Sequence, residues 1–156
     1  AFIAEMTAYY KDKGSSLFEA MLSMYEQYGF YKEKLVSVTK TGKSGAEEIK
    51  AMMERFRNNP PVSLGGSKVV SLKDYELQKE TDLISNSSKT LEFPKSDVLQ
   101  FITEDGSIIS ARPSGTEPKI KFYCSVNATL TSQENFREVD KQLDEKVNAI
   151  MQDLAV

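Results

Sequence analysis

The chain has 156 residues, 40% of them hydrophobic and 28% charged, enough for one buried core and incompatible with disorder over most of its length. A formal charge of −3 excludes the broad basic surface on which general nucleic-acid binding depends. With no histidine and a single cysteine, imidazole bases, Ser-His-Asp triads, internal disulfides and His- or Cys-built zinc sites are excluded as well.

Phe2, Ile3, Met6, Tyr9 and Tyr10 recur at helical spacing until Gly14. Ser16 to Glu19 then reads as a capping box that opens a second helix, with Leu17, Met21, Met24 and Tyr28 on one face and Gly29 at its end. Residues 1–29 are therefore expected to form a helical hairpin whose wide apolar stripe packs on a domain that precedes it, as in a piece of something larger. Lys34 to Gly42, rich in β-branched residues, reads as a strand or an extended connector. A second capping box, Ser44 to Glu47, predicts a helix carrying Ile49, Met52, Met53 and Phe56, which the Asn58 to Ser67 stretch terminates.

Ser67 to Leu77 reads as a strand, and the polar stretch QKETDLISNSSK after it as a loop. Val98 to Thr103 and Ser107 to Arg112 flank Glu104-Asp105-Gly106, a hairpin signal. Lys119 to Val126 alternates, with Ile120, Phe122, Cys124 and Val126 on one face. Thr131 to Glu134 opens a last helix with Phe136, Val139, Leu143, Val147, Ile150 and Leu154 along one stripe. The expected fold class is α+β: a four-stranded antiparallel sheet with two helices on one face over residues 42–156, preceded by the hairpin and connector of residues 1–41. No apolar run approaches the about 20 residues of a membrane span and no secretory leader pattern opens the chain, so the expected compartment is the cytoplasm.

The stretch SARPSGTEPKIKFY, Ser110 to Tyr123, carries the chemistry. Arg112 closes one strand and Lys119 begins the next, so the loop between them projects from the sheet with a guanidinium at its base. That group matches two phosphate oxygens at once. Ser114 and Thr116 add hydroxyl donors, Gly115 lets backbone N–H groups turn inward, and Pro113 and Pro118 restrict the loop before any ligand arrives. Glu117 repels phosphate and reads as a partner of Arg112 or Lys119, or as an acceptor from a sugar hydroxyl. The same residues also suit a proline-stiffened turn closed by an Arg112–Glu117 pair.

RPSGTEPKIKFY, Arg112 to Tyr123, resembles the phosphate-binding loop in the C-terminal domain of the α-D-phosphohexomutases, most closely their phosphoglucomutase/phosphomannomutase branch. The helix after Gly42, the GGSKVVSLKDYE strand and the Asp-Gly hairpin fall in that family's order, and residues 1–29 are similar to the closing helices of its third domain. The resemblance implies a C-terminal domain of a fold similar to the TATA-binding protein, in a four-domain enzyme that interconverts sugar 1-phosphates and 6-phosphates through a bisphosphorylated sugar, with a phosphorylated serine and Mg²⁺. It implies that Arg112, Ser114, Gly115, Thr116 and, more weakly, Lys119 hold the phosphate that is not reacting. No catalytic residue and no metal ligand is expected among these 156 residues; serine, Mg²⁺ site and sugar-reading loop would belong to further domains of the same chain, its expected partners beside the sugar phosphate. The alternative is a stand-alone anion-binding or interaction module of the same fold without catalysis.

Other motifs carry less. SVTKTGKS, Ser37 to Ser44, nearly spells a nucleotide-binding P-loop but has serine where the first glycine belongs. Asp74 with Glu76, and Asp140, Asp144 and Glu145, read as solvated faces, and Cys124 as a small core residue.

Overall fold

The computed structural model describes residues 1–155, apart from the side chain of Lys43. It opens with two helices, α1 (Phe2–Asp12) and α2 (Leu17–Tyr28). The capping box at Ser16 is formed in both directions: its hydroxyl accepts from the Glu19 N–H (3.2 Å) and the Glu19 carboxylate accepts from the Ser16 N–H (2.7 Å). Gly29, at a φ of +95° that favours glycine, ends α2. There follow β1 (Phe30–Thr39), α3 (Gly42–Asn58), β2 (Ser63–Leu64), β3 (Ser67–Asp74), β4 (Lys79–Asp82), β5 (Ser88–Thr90), β6 (Leu99–Thr103), β7 (Ile108–Pro113), β8 (Lys119–Ala128) and α4 (Phe136–Asp153).

The fold is α+β with an antiparallel sheet, and the sheet is larger than the four strands expected from the sequence. Its order is β1-β8-β7-β6-β3-β4-β5, with β2 paired to β3. The four strands with legible patterns, β3, β6, β7 and β8, form its centre. β1 adds to one side, in register with β8 over ten residues from Phe30 opposite Ala128 to Thr39 opposite Lys119. On the other side, the polar stretch read as a loop holds β4 and β5. That ribbon has no buried residue and hence no alternation to read. Its turn is closed by Asp82, whose carboxylate accepts from the N–H groups of Ile84 (2.8 Å) and Ser85 (3.0 Å).

Two helix starts are also corrected. Ser44 does not cap α3, which begins at Gly42 after Thr41 without a side-chain cap bond. Ser44 is already inside the first turn of that helix, and the chain doubles back so tightly that a Cβ on the next residue, Gly45, would stand 2.9 Å from the Lys40 carbonyl carbon. Before α4, Ser132 rather than Thr131 accepts from the Glu134 N–H (3.3 Å), capping a short 3₁₀ turn, Gln133–Asn135.

α3 and α4 cover one face of the sheet. Ile49, Met52, Met53 and Phe56 from α3 and Val139, Leu143, Val147 and Ile150 from α4 pack on the inward residues of β6, β7 and β8: Phe101, Ile109, Ile120, Phe122, Cys124 and Val126. The Phe56 ring stands edge-on to Phe101 (5.9 Å) and Phe122 (6.4 Å). Burial pushes the Cys124 thiol up to about 11, in keeping with a core residue and not a nucleophile. α2 docks on the start of α4, where Tyr25 stacks on Phe30 (4.4 Å) and Phe18 meets Phe136 edge-on (5.5 Å). α1 buries none of its residues, and Phe2 and Ile3 are each 74% exposed.

Of the carboxylates read as solvated faces, Glu76 and Glu145 are exposed, whereas Asp74, Asp140 and Asp144 are tied into the structure. Lys32 and Lys34, on the helix side of β1, bridge to Asp140 and Asp144 of α4 at 2.7 to 2.9 Å. Asp74 is buried: it accepts from the N–H groups of Glu76 and Leu77 (both 3.0 Å) and pairs with Arg57 Nε (2.6 Å). Asp105, in the β6–β7 turn, accepts from the Thr103 hydroxyl (2.7 Å), the Ser107 N–H (3.0 Å) and Lys146 Nζ (2.7 Å). Burial alone would raise its pKa; the bonds from Lys146, Thr103 and Ser107 outweigh it and hold the carboxyl well below the usual carboxylate range.

Two measurements check this account. Phe101→Ala should destabilise the chain by about 3–5 kcal/mol in denaturant unfolding, since it empties the centre of the core. Because the pKa of Asp105 is depressed by folding, its ionised form stabilises the fold fully above about pH 5, and that contribution is lost as pH falls below about 4. The melting temperature of Asp105→Asn should therefore lie below that of the parent at pH 7, and the gap should narrow progressively below pH 4.

Candidate anion site at the β7–β8 loop

The site follows from the pleat of two strands. Ala111, Ile120 and Phe122 point into the core, so Arg112 and Lys121 point to the open face of the sheet, where they stand directly opposite each other in the β7–β8 register. The next pair along the same face is Ser110 and Tyr123. Beyond Arg112 the chain makes a short closed loop. The Ser114 N–H donates to the Lys119 carbonyl (2.8 Å) and the Lys119 N–H to the Glu117 carbonyl (2.7 Å), while the Lys40 N–H donates to the Pro118 carbonyl (2.9 Å) and so ties the loop to the end of β1. The N–H groups of Thr116 (3.4 Å) and Glu117 (3.3 Å) converge on the Ser114 hydroxyl oxygen.

Of the two cations offered as partners of Glu117, the structure pairs it with Lys119. Its carboxylate pairs with Lys119 Nζ at 3.0 Å, so the loop is not closed by an Arg112–Glu117 pair. Among the described residues, neither Arg112 nor Lys121 is ion-paired to a carboxylate. Like charges directly opposite on an antiparallel pair destabilise it. Lys121 is a site residue that sequence reasoning missed. The signal was present, since an alternating strand puts Lys119, Lys121 and Tyr123 on one face, but that Lys121 stands against Arg112 follows only from the register.

Two cavities flank the loop, and their charges separate them. On the helix side, about 470 Å³ opens between the loop and α3; there Lys50 and Arg57 face Glu54, Glu76, Asp97 and Glu117, and Arg57 is already bound by Asp74 and by Asp97 (3.2 Å). On the open face, about 190 Å³ is lined by Arg112, Pro113, Ser114, Gly115, Lys121 and Tyr123 and by one carboxylate, Glu117. The larger cavity is rich in carboxylates, so the smaller one is the candidate for an anion. It gathers Arg112, Ser114 and Gly115 from the residues singled out in the sequence, whereas Thr116 and Lys119 do not line it. Gly115 is not held in a left-handed conformation, and a Cβ there would meet no protein atom within 4 Å. Among the described residues there is no group of three or more Asp, Glu or Cys placed to hold a metal ion. No described helix is long and apolar enough to cross a membrane.

The sequence model of the phosphoglucomutase/phosphomannomutase C-terminal domain matches residues 67–146, which includes β3 through most of α4 and the whole of the loop. The chain is 33% identical over 141 residues to a phosphoglucomutase of Staphylococcus haemolyticus, covering 90% of this chain and 25% of that protein. It is 36% identical over 134 residues to one of Staphylococcus saprophyticus, covering 85% and 23%. Among solved structures, parafusin, a phosphoglucomutase from Paramecium in its open form, superposes with a TM-score of 0.46 at 17% identity over 95% of this chain and 26% of that one. The chain thus spans about a quarter of the length of the curated relatives it matches. On the match of the C-terminal domain model to half of its residues, the chain belongs to the phosphoglucomutase/phosphomannomutase family.

Proposed function

We propose that this chain supplies the phosphate anchor of a phosphohexomutase, holding the phosphate of a sugar phosphate that is not being transferred. The observation that carries the reading is the Arg112–Lys121 pair, two cations side by side on an open face that line one cavity together with Ser114 and Gly115 of the loop. A dianion placed there turns their mutual repulsion into attraction. The guanidinium supplies two parallel N–H donors and the ammonium a point charge. Of the residues singled out in the sequence, Ser114 contributes its hydroxyl and Gly115 leaves the ligand free to approach the backbone, whereas Thr116 and Lys119 lie outside the cavity. The fold itself does not demand glycine at that position.

On this reading the phosphorylated serine, the Mg²⁺ site and the loop that tells one sugar from another belong to other domains of the same enzyme. α1 and α2 are then the end of the domain before this one, with β1 as a connector shared with the sheet. An anchor of this kind improves binding and positioning and leaves the chemical barrier to groups elsewhere, so the chain alone should turn over no glucose 1-phosphate.

Titration of inorganic phosphate into the 156-residue chain, followed by backbone amide NMR, tests the reading. Phosphate should move the amides of Arg112 and of residues 114–117 at millimolar concentration, more weakly as salt is raised. Arg112→Ala should weaken binding about tenfold or more, and Arg112→Lys should recover part of that loss. Lys121→Ala should weaken phosphate binding while leaving the melting temperature unchanged or higher, because it relieves a like-charge pair. Gly115→Ala should be at least as stable as the parent, through a less flexible unfolded chain, yet bind phosphate worse. In an intact mutase containing this domain, Arg112→Ala should lower kcat/KM by roughly ten- to a few-hundred-fold. Unperturbed amides at the loop, or an Arg112→Ala variant with unchanged affinity, would remove the basis of the proposal.

A further inference from the structure

The sheet register extends the site beyond the loop. On the open face the residues stand in rows across the strands: Arg112, Lys121 and Ser37 form one row, and Ser110, Tyr123 and Leu35 form the next. Residues two apart on a strand lie about 6.7 Å from one another on the same face. A ligand whose phosphate rests on the cation row therefore lays the group beyond its phosphoester oxygen over the neighbouring row. Tyr123 lines the same cavity as Arg112 and Lys121 and is 40% exposed, and its neighbour Leu35 is 53% exposed. Beside them the Ser110 hydroxyl accepts from the Gln100 amide at 3.1 Å and retains its own proton as a donor.

Next to the cation row, Tyr123 and Leu35 thus place an exposed aromatic ring and an aliphatic side chain side by side, with the Ser110 hydroxyl and the Gln100 amide beside them as hydrogen-bonding groups. That combination suits a saturated ring with C–H groups on its face and hydroxyls on its rim. A flat nucleobase would gain the stacking but would leave the rim groups without matching hydroxyls. Resting on the phosphate reading above, we propose that Tyr123 is a specificity residue: it receives the pyranose ring of the sugar phosphate, with Leu35 and Ser110 flanking it, so that the site distinguishes a hexose phosphate from free phosphate.

Parallel NMR titrations of the 156-residue chain with inorganic phosphate and with glucose 6-phosphate decide the matter. Both should shift the amides of Arg112 and of residues 114–117; only glucose 6-phosphate should shift the Tyr123 ring protons and give nuclear Overhauser contacts between that ring and sugar C–H protons. Tyr123→Ala should weaken glucose 6-phosphate about three- to tenfold and leave inorganic phosphate within about twofold, whereas Tyr123→Phe, which keeps the ring, should retain most of the sugar-phosphate affinity. If Tyr123→Ala fails to fold, the ring shifts and contacts in the parent chain settle the question. Equal losses for the two ligands, no loss for either, or a Tyr123 ring untouched by glucose 6-phosphate would overturn the assignment of Tyr123 with phosphate binding intact. Failure of inorganic phosphate to move the loop would overturn both readings together.

Discussion

The parity of the β7–β8 pair governs the rest of the molecule. Side chains alternate between the faces of a strand, and a shift of one residue would exchange them all. Ile109, Ala111, Ile120, Phe122, Cys124 and Val126 are fixed inward because α3 and α4 bury them completely. Ser110, Arg112, Lys121 and Tyr123 are then fixed outward with the same certainty. The hydrophobic effect, acting on residues that touch no ligand, thus decides which residues can.

The two faces treat charge differently. Toward the helices each of Lys32, Lys34, Arg57 and Lys146 has a carboxylate within 3 Å, as the desolvation of a partly buried cation requires. On the open face water solvates Arg112 and Lys121, and no such partner is needed for stability. Their juxtaposition is tolerated because it is exposed, and that same exposure makes the pair available to an anion. Glu117, the one carboxylate in the loop, is turned to Lys119 and so does not neutralise them.

Preorganisation comes from the backbone. Three main-chain hydrogen bonds close the loop and tie it to the end of β1, and two prolines limit what remains. β1 is thereby connected to the site at a distance: it pairs with β8 along its whole length, bridges to α4 through Lys32 and Lys34, and passes its Lys40 N–H to the loop at Pro118. Loop geometry rests on the strand that the sequence left ambiguous between strand and connector.

The sequence by itself determined the elements whose burial is one-sided: α2 with its capping box, the amphipathic α3 and α4, the Asp-Gly hairpin and the alternating β8. It also determined the candidate loop, because Arg, Ser, Gly and Thr between two prolines form a contiguous run whose resemblance needs no knowledge of the fold. Tertiary structure decided what depends on pairing between distant segments. β4 and β5 are solvated on both faces and hold together through cross-strand hydrogen bonds, which leave no hydrophobic period to read. Asp74, Asp140 and Asp144 looked like surface acids because their cations lie 17 to 110 residues away in sequence. Lys121 stands against Arg112, and Tyr123 against Ser110 and Leu35, only because antiparallel register sets them there. One-dimensional spacing gives the face a residue occupies; its neighbour on that face is a property of the sheet.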